Sequence, residues 1–179
     1  MTRGLTLATV VVALAGAGGA WAQDSADTAA KAAFLVKLAP FVDWPVRSSP
    51  TDPFVICVVG KDPFGQTLDH ALLGQSAAGR PIVAKRMARA DRDAGCQIMY
   101  LGGSPAQSAR DALAAVHAAP VLTVTAGGRA PGIIDLSTGT DPIRFRVDDR
   151  AAAENGLKIS SKLLGLAVSV RSRAAPAKP

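Results

Sequence analysis

A three-layer α/β sandwich is the fold this sequence predicts, with a largely parallel central sheet flanked by helices and a C-terminal antiparallel hairpin. Three observations lead there. Phe54 to Val59, FVICVV, is an unbroken apolar run rich in β-branched residues. Such a run suits a strand covered on both faces. Apolar runs then alternate with helix-like segments as far as Thr125, the pattern of parallel crossovers. Finally, Ile133–Leu136 and Ile143–Val147 flank a turn-rich stretch, Ser137 to Pro142, and read as a hairpin.

The chain has 179 residues, of which 49% are hydrophobic and 19% charged, so it predicts one compact domain with an adequate core. Aromatics make up only 4%, which leaves no platform of rings for stacking bases. The net charge of +6 is scattered, and its densest group, Lys85, Arg86, Arg89 and Arg92, reads as a solvated face. No nucleic-acid partner is expected.

Residues 1–22 read as a signal peptide. Arg3 supplies the positive start, Leu5 to Gly19 the apolar stretch, and Ala20-Trp21-Ala22 a small-residue cleavage site, with the cut between Ala22 and Gln23. The apolar stretch is short for a bilayer span, so export to the periplasm without membrane insertion is expected. Losing Arg3 lowers the formal charge from +6 to +5. The mature domain then spans 23–170, and 171–179 reads as a disordered tail. In an oxidising compartment two cysteines without C-x-x-C spacing point to a structural disulfide, here Cys57–Cys96. Closing a loop of that length stabilises a fold by ~4 kcal/mol in the chain-entropy model.

Along the chain, Asp24–Thr28 reads as frayed and Ala29–Trp44 as a helix that Pro40 kinks or ends. After the Phe54–Val59 strand, Asp62 and Pro63 are placed to cap and start a helix running to Leu73. Arg80–Lys85 and Gln97–Leu101 read as strands. Ser104 and Pro105 are placed as cap and first residue of a helix to His117, and Val121–Thr125 as the next strand. Asp148 or Asp149 caps a helix to Asn155. Ile159, Leu163, Leu166 and Val170 then recur at helical spacing and form one apolar stripe, weighed as core and, for Leu163, Leu166 and Val170, as a candidate partner surface.

The sequence is poor in catalytic machinery. Two histidines and a cystine supply no zinc site of ordinary spacing, Gly60-Lys61 lacks the rest of a P-loop, and Ser104 lacks the x-G of a nucleophile elbow. No cofactor, metal or catalytic residue is assigned. Ligands of open parallel sheets bind beyond the carboxyl ends of the strands, which makes the loops Gly60–Gly65, Gly102–Pro105 and Ala126–Gly132 the candidate ligand site. Its named residues are Ser104, Gly127, Gly128 and Arg129.

Several stretches together resemble the YfiR family of periplasmic proteins, also called YfiR/HmsC. They are KAAFLVKLAPFVDWP at 31–45, FVICVVGKDPFGQTLD at 54–69, IMYLGGS at 98–104, GIIDL at 132–136, IRFRVD at 143–148 and GLKISSKLLGLA at 156–167. The resemblance implies a non-enzymatic repressor that binds the periplasmic sensor portion of an inner-membrane diguanylate cyclase, alone or as a homodimer. Such binding lowers cyclic di-GMP and restrains biofilm. It also matches Cys57 and Cys96 to a cysteine pair found in the family, and it transfers no partner-binding residue. The alternative reading is a periplasmic small-ligand-binding module serving a transporter or sensor kinase.

Overall fold

A computed structural model describes residues 19–45, 51–128, 130–137 and 142–173, with the side chains of 19–23 excepted. The predicted α/β architecture is present. An eight-stranded sheet has the order β10-β8-β7-β6-β5-β2-β4-β3. Its members are β2 (Phe54–Gly60), β3 (Ser76–Ala77), β4 (Arg80–Met87), β5 (Ile98–Gly103), β6 (Leu122–Ala126), β7 (Ile134–Leu136), β8 (Phe145–Asp148) and β10 (Ser169–Arg171). Strands β4, β2, β5, β6 and β7 run parallel, and β8 turns back antiparallel on β7 as the predicted hairpin. A separate two-stranded ladder pairs β1 (Val42–Asp43) with β9 (Lys158–Ile159).

Strand alternation divides the side chains between two clusters. On one face Phe54, Ile56, Val58, Ile98, Tyr100, Leu122, Val124 and Ile134 meet α1 (Gly19–Leu38), α2 (Gln66–Leu72) and α5 (Ser161–Leu166). On the other, Cys57, Val59, Met99 and Leu101 meet Cys96 and α3 (Ala109–Ala115). We call these the helix face and the disulfide face. The Cys57–Cys96 bridge forms, with Cα atoms 5.8 Å apart. It fastens β2 to the irregular segment that carries the chain from β4 to β5.

Several helix boundaries differ from the sequence expectation, each for a local reason. Helix α1 includes Asp24–Thr28, where Lys31 pairs with Asp27 one turn away. Its α-helical part ends at Leu38, as Pro40 leads one to expect: Pro40 lies in a single 3-10 turn, Ala39–Phe41, and cannot continue the α-helical ladder, so the chain does not stay helical to Trp44. The chain beyond enters β1. Asp62 does accept from free amides, Phe64 N at 2.7 Å and Gly65 N at 3.2 Å, but this is a turn ahead of α2, whose cap is Gly65. The predicted helix over 105–117 is only α3, and its cap is Ser108, which accepts from Asp111 N and donates to Asp111 Oδ2 at 2.7 Å.

The stripe 159–170 is not one helix. Ile159 lies in β9, Ser160 Oγ caps α5 through Leu163 N, and Ser169–Arg171 form β10. Asp148 caps α4 (Asp149–Glu154) as expected. Of the predicted tail, Arg171 belongs to β10 and Arg173 binds Asp149 through two hydrogen bonds of 2.7 and 2.9 Å. The rest of that predicted tail, most of the predicted signal peptide and residues 138–141 lie outside the described residues. The predicted cut at Ala22–Gln23 falls within α1, where side chains are not described.

Candidate functional site

The first candidate is the place where the sheet's winding reverses. From β2 the chain passes through α2, on the helix face, to β4; from β5 it passes through α3, on the disulfide face, to β6 on the other side. The carboxyl ends of β2 and β5 therefore form the topological switch point, where folds of this class open a crevice. Here it is shut by backbone. Lys61 N donates to Gly103 O at 2.9 Å. A Cβ on Gly102 would lie 1.9 Å from Lys61 O, and one on Gly60 would lie 2.6 Å from Gly103 O. Glycine is needed at both because main chain meets main chain.

Of the named ligand-site residues, Ser104 lies in the β5–α3 connection, and Gly127 and Gly128 lie in the β6–β7 connection. Ser104 closes a small turn: its N donates to Gln107 O at 2.9 Å, and its Oγ accepts from Gln107 N at 3.2 Å. Gln107 Oε1 in turn accepts from Ala90 N at 2.7 Å, which ties the turn to the segment after β4. Gly127 N donates to Leu136 O at 3.0 Å, so that residue belongs to the β6–β7 connection. Gly128 has no heavy atom closer than 3.8 Å to a Cβ position. Arg129 lies outside the described residues. The connection is held from below by a buried polar network on the disulfide face. Thr125 Oγ1 donates to Asp135 Oδ1 at 2.8 Å and accepts from Gly132 N at 2.9 Å, while Thr123 Oγ1 accepts from Ile133 N at 3.0 Å. Arg146 completes it, donating to Asp135 Oδ2 at 3.0 Å.

The second candidate is the C-terminal apolar row. Leu163 is 3% exposed and packs in the main core rather than on the surface. Leu166, Val168 and Val170 are 64%, 49% and 36% exposed. Leu166 ends α5, Val168 lies just before β10, and Val170 lies within it, the edge strand of the sheet. Val168 was missed by the helical reading. The signal was present: Leu166, Val168 and Val170 recur at every second residue, the period of a strand.

Among the described residues no cluster of His, Cys, Asp and Glu could hold a metal ion, and no helix is long and apolar enough to cross a membrane. Among the described residues, two surface pairs and one buried phenol are electrostatically perturbed. Arg86 donates to both carboxylate oxygens of Asp69, at 2.6 and 2.7 Å, and to Asp62 at 3.2 Å. The hydrogen bonds that Arg86 donates hold the Asp69 carboxyl below its ordinary range, and the same bonds raise Arg86. Burial, with the charges of Asp27 and Asp62, pushes the Tyr100 hydroxyl up.

Residues 28–168 match the family model described as YfiR/HmsC-like. The chain belongs to that family. No curated protein matches it. Membership supports a role as a periplasmic regulator in the diguanylate cyclase pathway, rather than as an enzyme.

Proposed function

We propose that this protein is a periplasmic repressor that binds the periplasmic portion of an inner-membrane diguanylate cyclase and holds the cyclase in its inactive state. The family match across 28–168 carries this reading. The closed switch point adds to it, since the place where a sheet of this type binds a small molecule is filled by Gly60, Lys61, Gly102 and Gly103 backbone. The exposed row Leu166, Val168 and Val170 is the contact surface in this reading. A soluble regulator without chemistry acts only by differential affinity: it must bind the inactive cyclase more tightly than the active one, because equal affinity shifts no population.

Deletion of the gene in its own bacterium should raise cyclic di-GMP, and complementation with the Leu166→Asp, Val168→Asp variant should fail to lower it. Unchanged cyclic di-GMP on deletion, across growth phases and surface attachment, would sink the repressor. Restoration by the double variant would instead move the contact elsewhere on the molecule.

A further inference from the structure

The opposite edge of the sheet carries a feature that the repressor reading does not use. Strand β3 covers the outer side of β4 only at Arg80 and Pro81, after which no described strand pairs with β4 on that side. A cleft of about 580 Å³ opens there, lined by Leu72, Leu73, Gln75, Pro81, Val83 and Ala84 among others. Ile82 N donates outward, to Gln75 O at 3.1 Å. Because backbone groups alternate along a strand, those of Ala84 and Arg86 face the same way, into the open lane. From Val83 to Met87 the lane is ~16 Å long at ~3.3 Å per residue.

Its two sides differ in chemistry. On the helix face it is walled by Leu72 and by Leu73, which is 74% exposed. Arg86 on that face is paired with both Asp69, which lines the cleft, and Asp62, two carboxylates to one guanidinium, so a partner's acidic side chains are not accepted on that side. On the disulfide face, paired in register with Val55, Cys57 and Val59, stand Val83, Lys85 and Met87. Lys85 gives a hydrogen bond to the neutral carbonyl of Ala94, so its charge meets no carboxylate there. Exposed Arg89 follows just beyond the strand.

We infer that this lane is a docking site for an extended acidic segment of a partner protein, added as a further strand beside β4. Its backbone pairs with Ala84 and Arg86, its apolar side chains rest on Leu72 and Leu73, and its carboxylates, on the alternate residues, reach Lys85. Main-chain bonds would give affinity and the alternate side chains specificity, the usual division in strand addition. A second copy of this chain is the poorer occupant: it brings a lysine of its own to the same face, directly opposite Lys85 in the register that pairs Ala84 with Arg86, and lysines on a sheet edge work against such pairing. This inference is independent of the cyclase reading, which concerns the β10 edge.

The mature, disulfide-bonded protein is titrated with two short synthetic peptides, one alternating Val with Glu and one alternating Val with Lys, while amide hydrogen exchange is followed by residue. The acidic peptide should slow exchange at Ala84 and Arg86 by about ten-fold or more. Lys85→Glu should abolish that slowing, and Ala84→Pro, which removes an outward N–H at an edge position where proline is tolerated, should abolish it at Arg86. Should Ala84→Pro fail to fold, Lys85→Glu alone decides, since that side chain is exposed and bonded only to Ala94 O. The proposal is overturned by no slowing with saturating acidic peptide, by equal slowing with the basic peptide, or by slowing that follows protein concentration without peptide.

Discussion

The two faces of the sheet are built from the same strands, yet they are closed in different ways. The helix face is sealed by aliphatic packing, with Leu35, Leu38, Leu68 and Leu163 laid on Ile56, Ile98 and Leu122. The disulfide face has less to work with. Over β2 and β5 it has one short helix and a covalent bond, and over β6 to β8 its interior side chains are Thr123, Thr125 and Asp135. Apolar cover is thus concentrated on one side, and on the other crosslinking and hydrogen bonding hold irregular segments that could not bury enough surface alone. A fold made this way has a stiff side and a stitched side.

The largest break in that comparison should come from the helix face. Leu35 is fully buried against the sheet, and Leu35→Ala removes its methyls from a close-packed core, at a cost of about 2–5 kcal/mol. Urea unfolding should show a fall in midpoint with little change in slope. Removing the bridge by Cys57→Ala together with Cys96→Ala should cost about 2–4 kcal/mol, and here the slope should steepen because the unfolded chain loses its crosslink. An unchanged midpoint in the double variant would mean that packing alone holds the β4–β5 segment, and the distinction between the faces would fail.

The polar half of the disulfide face offers a smaller and more local test. Thr125→Val keeps the shape but leaves Gly132 N and Asp135 Oδ1 each without its buried partner, which should cost about 1–3 kcal/mol. Amide exchange at Gly132 and Ile133 should quicken more than exchange at Ile98 or Leu122. If all four quicken alike, the network is part of the common core rather than a local stitch on the β6–β7 connection.

How far these features were legible in the sequence follows the same divide. Phe54–Val59, the parallel strands and the hairpin could be read because doubly covered strands are continuous apolar runs, and the cystine could be read because export leaves an even pair little else to do. Helix ends were misplaced where two caps competed. Ser104 before a proline looked like a cap, but Ser108 with Asp111 three residues on is the capping pair that forms. The stripe Ile159 to Val170 satisfied both periods: Ile159, Leu163 and Leu166 fit a helix, and Leu166, Val168 and Val170 fit a strand. Pairing with β8 decided for the strand. The shut switch point was not legible at all, since the glycines at 60, 102 and 103 read equally well as a ligand loop or as a close backbone contact, and only the tertiary approach of Lys61 to Gly102 separates the two.

The smallest expected effect belongs to the rim of the helix face, where Arg86 clamps Asp69. Both side chains are more than a third exposed, so solvent screens the pair and its removal should leave the unfolding midpoint near neutral pH almost unmoved. The pH dependence is where it can be read. A carboxyl whose folded pKa is depressed contributes stability above its unfolded value, near 4, and that contribution fades as pH falls through the lower folded value. In Arg86→Gln the Asp69 titration, followed by its side-chain carbon resonance, should rise into the ordinary carboxylate range, and the acid limb of the stability curve should flatten below about pH 4. High salt should shift the native protein's Asp69 in the same direction, but less, because the two short hydrogen bonds from Arg86 survive screening that weakens the charge attraction. A titration unmoved by the substitution would mean the pair is broken in solution, leaving Arg86 free on the β4 rim beside Lys85.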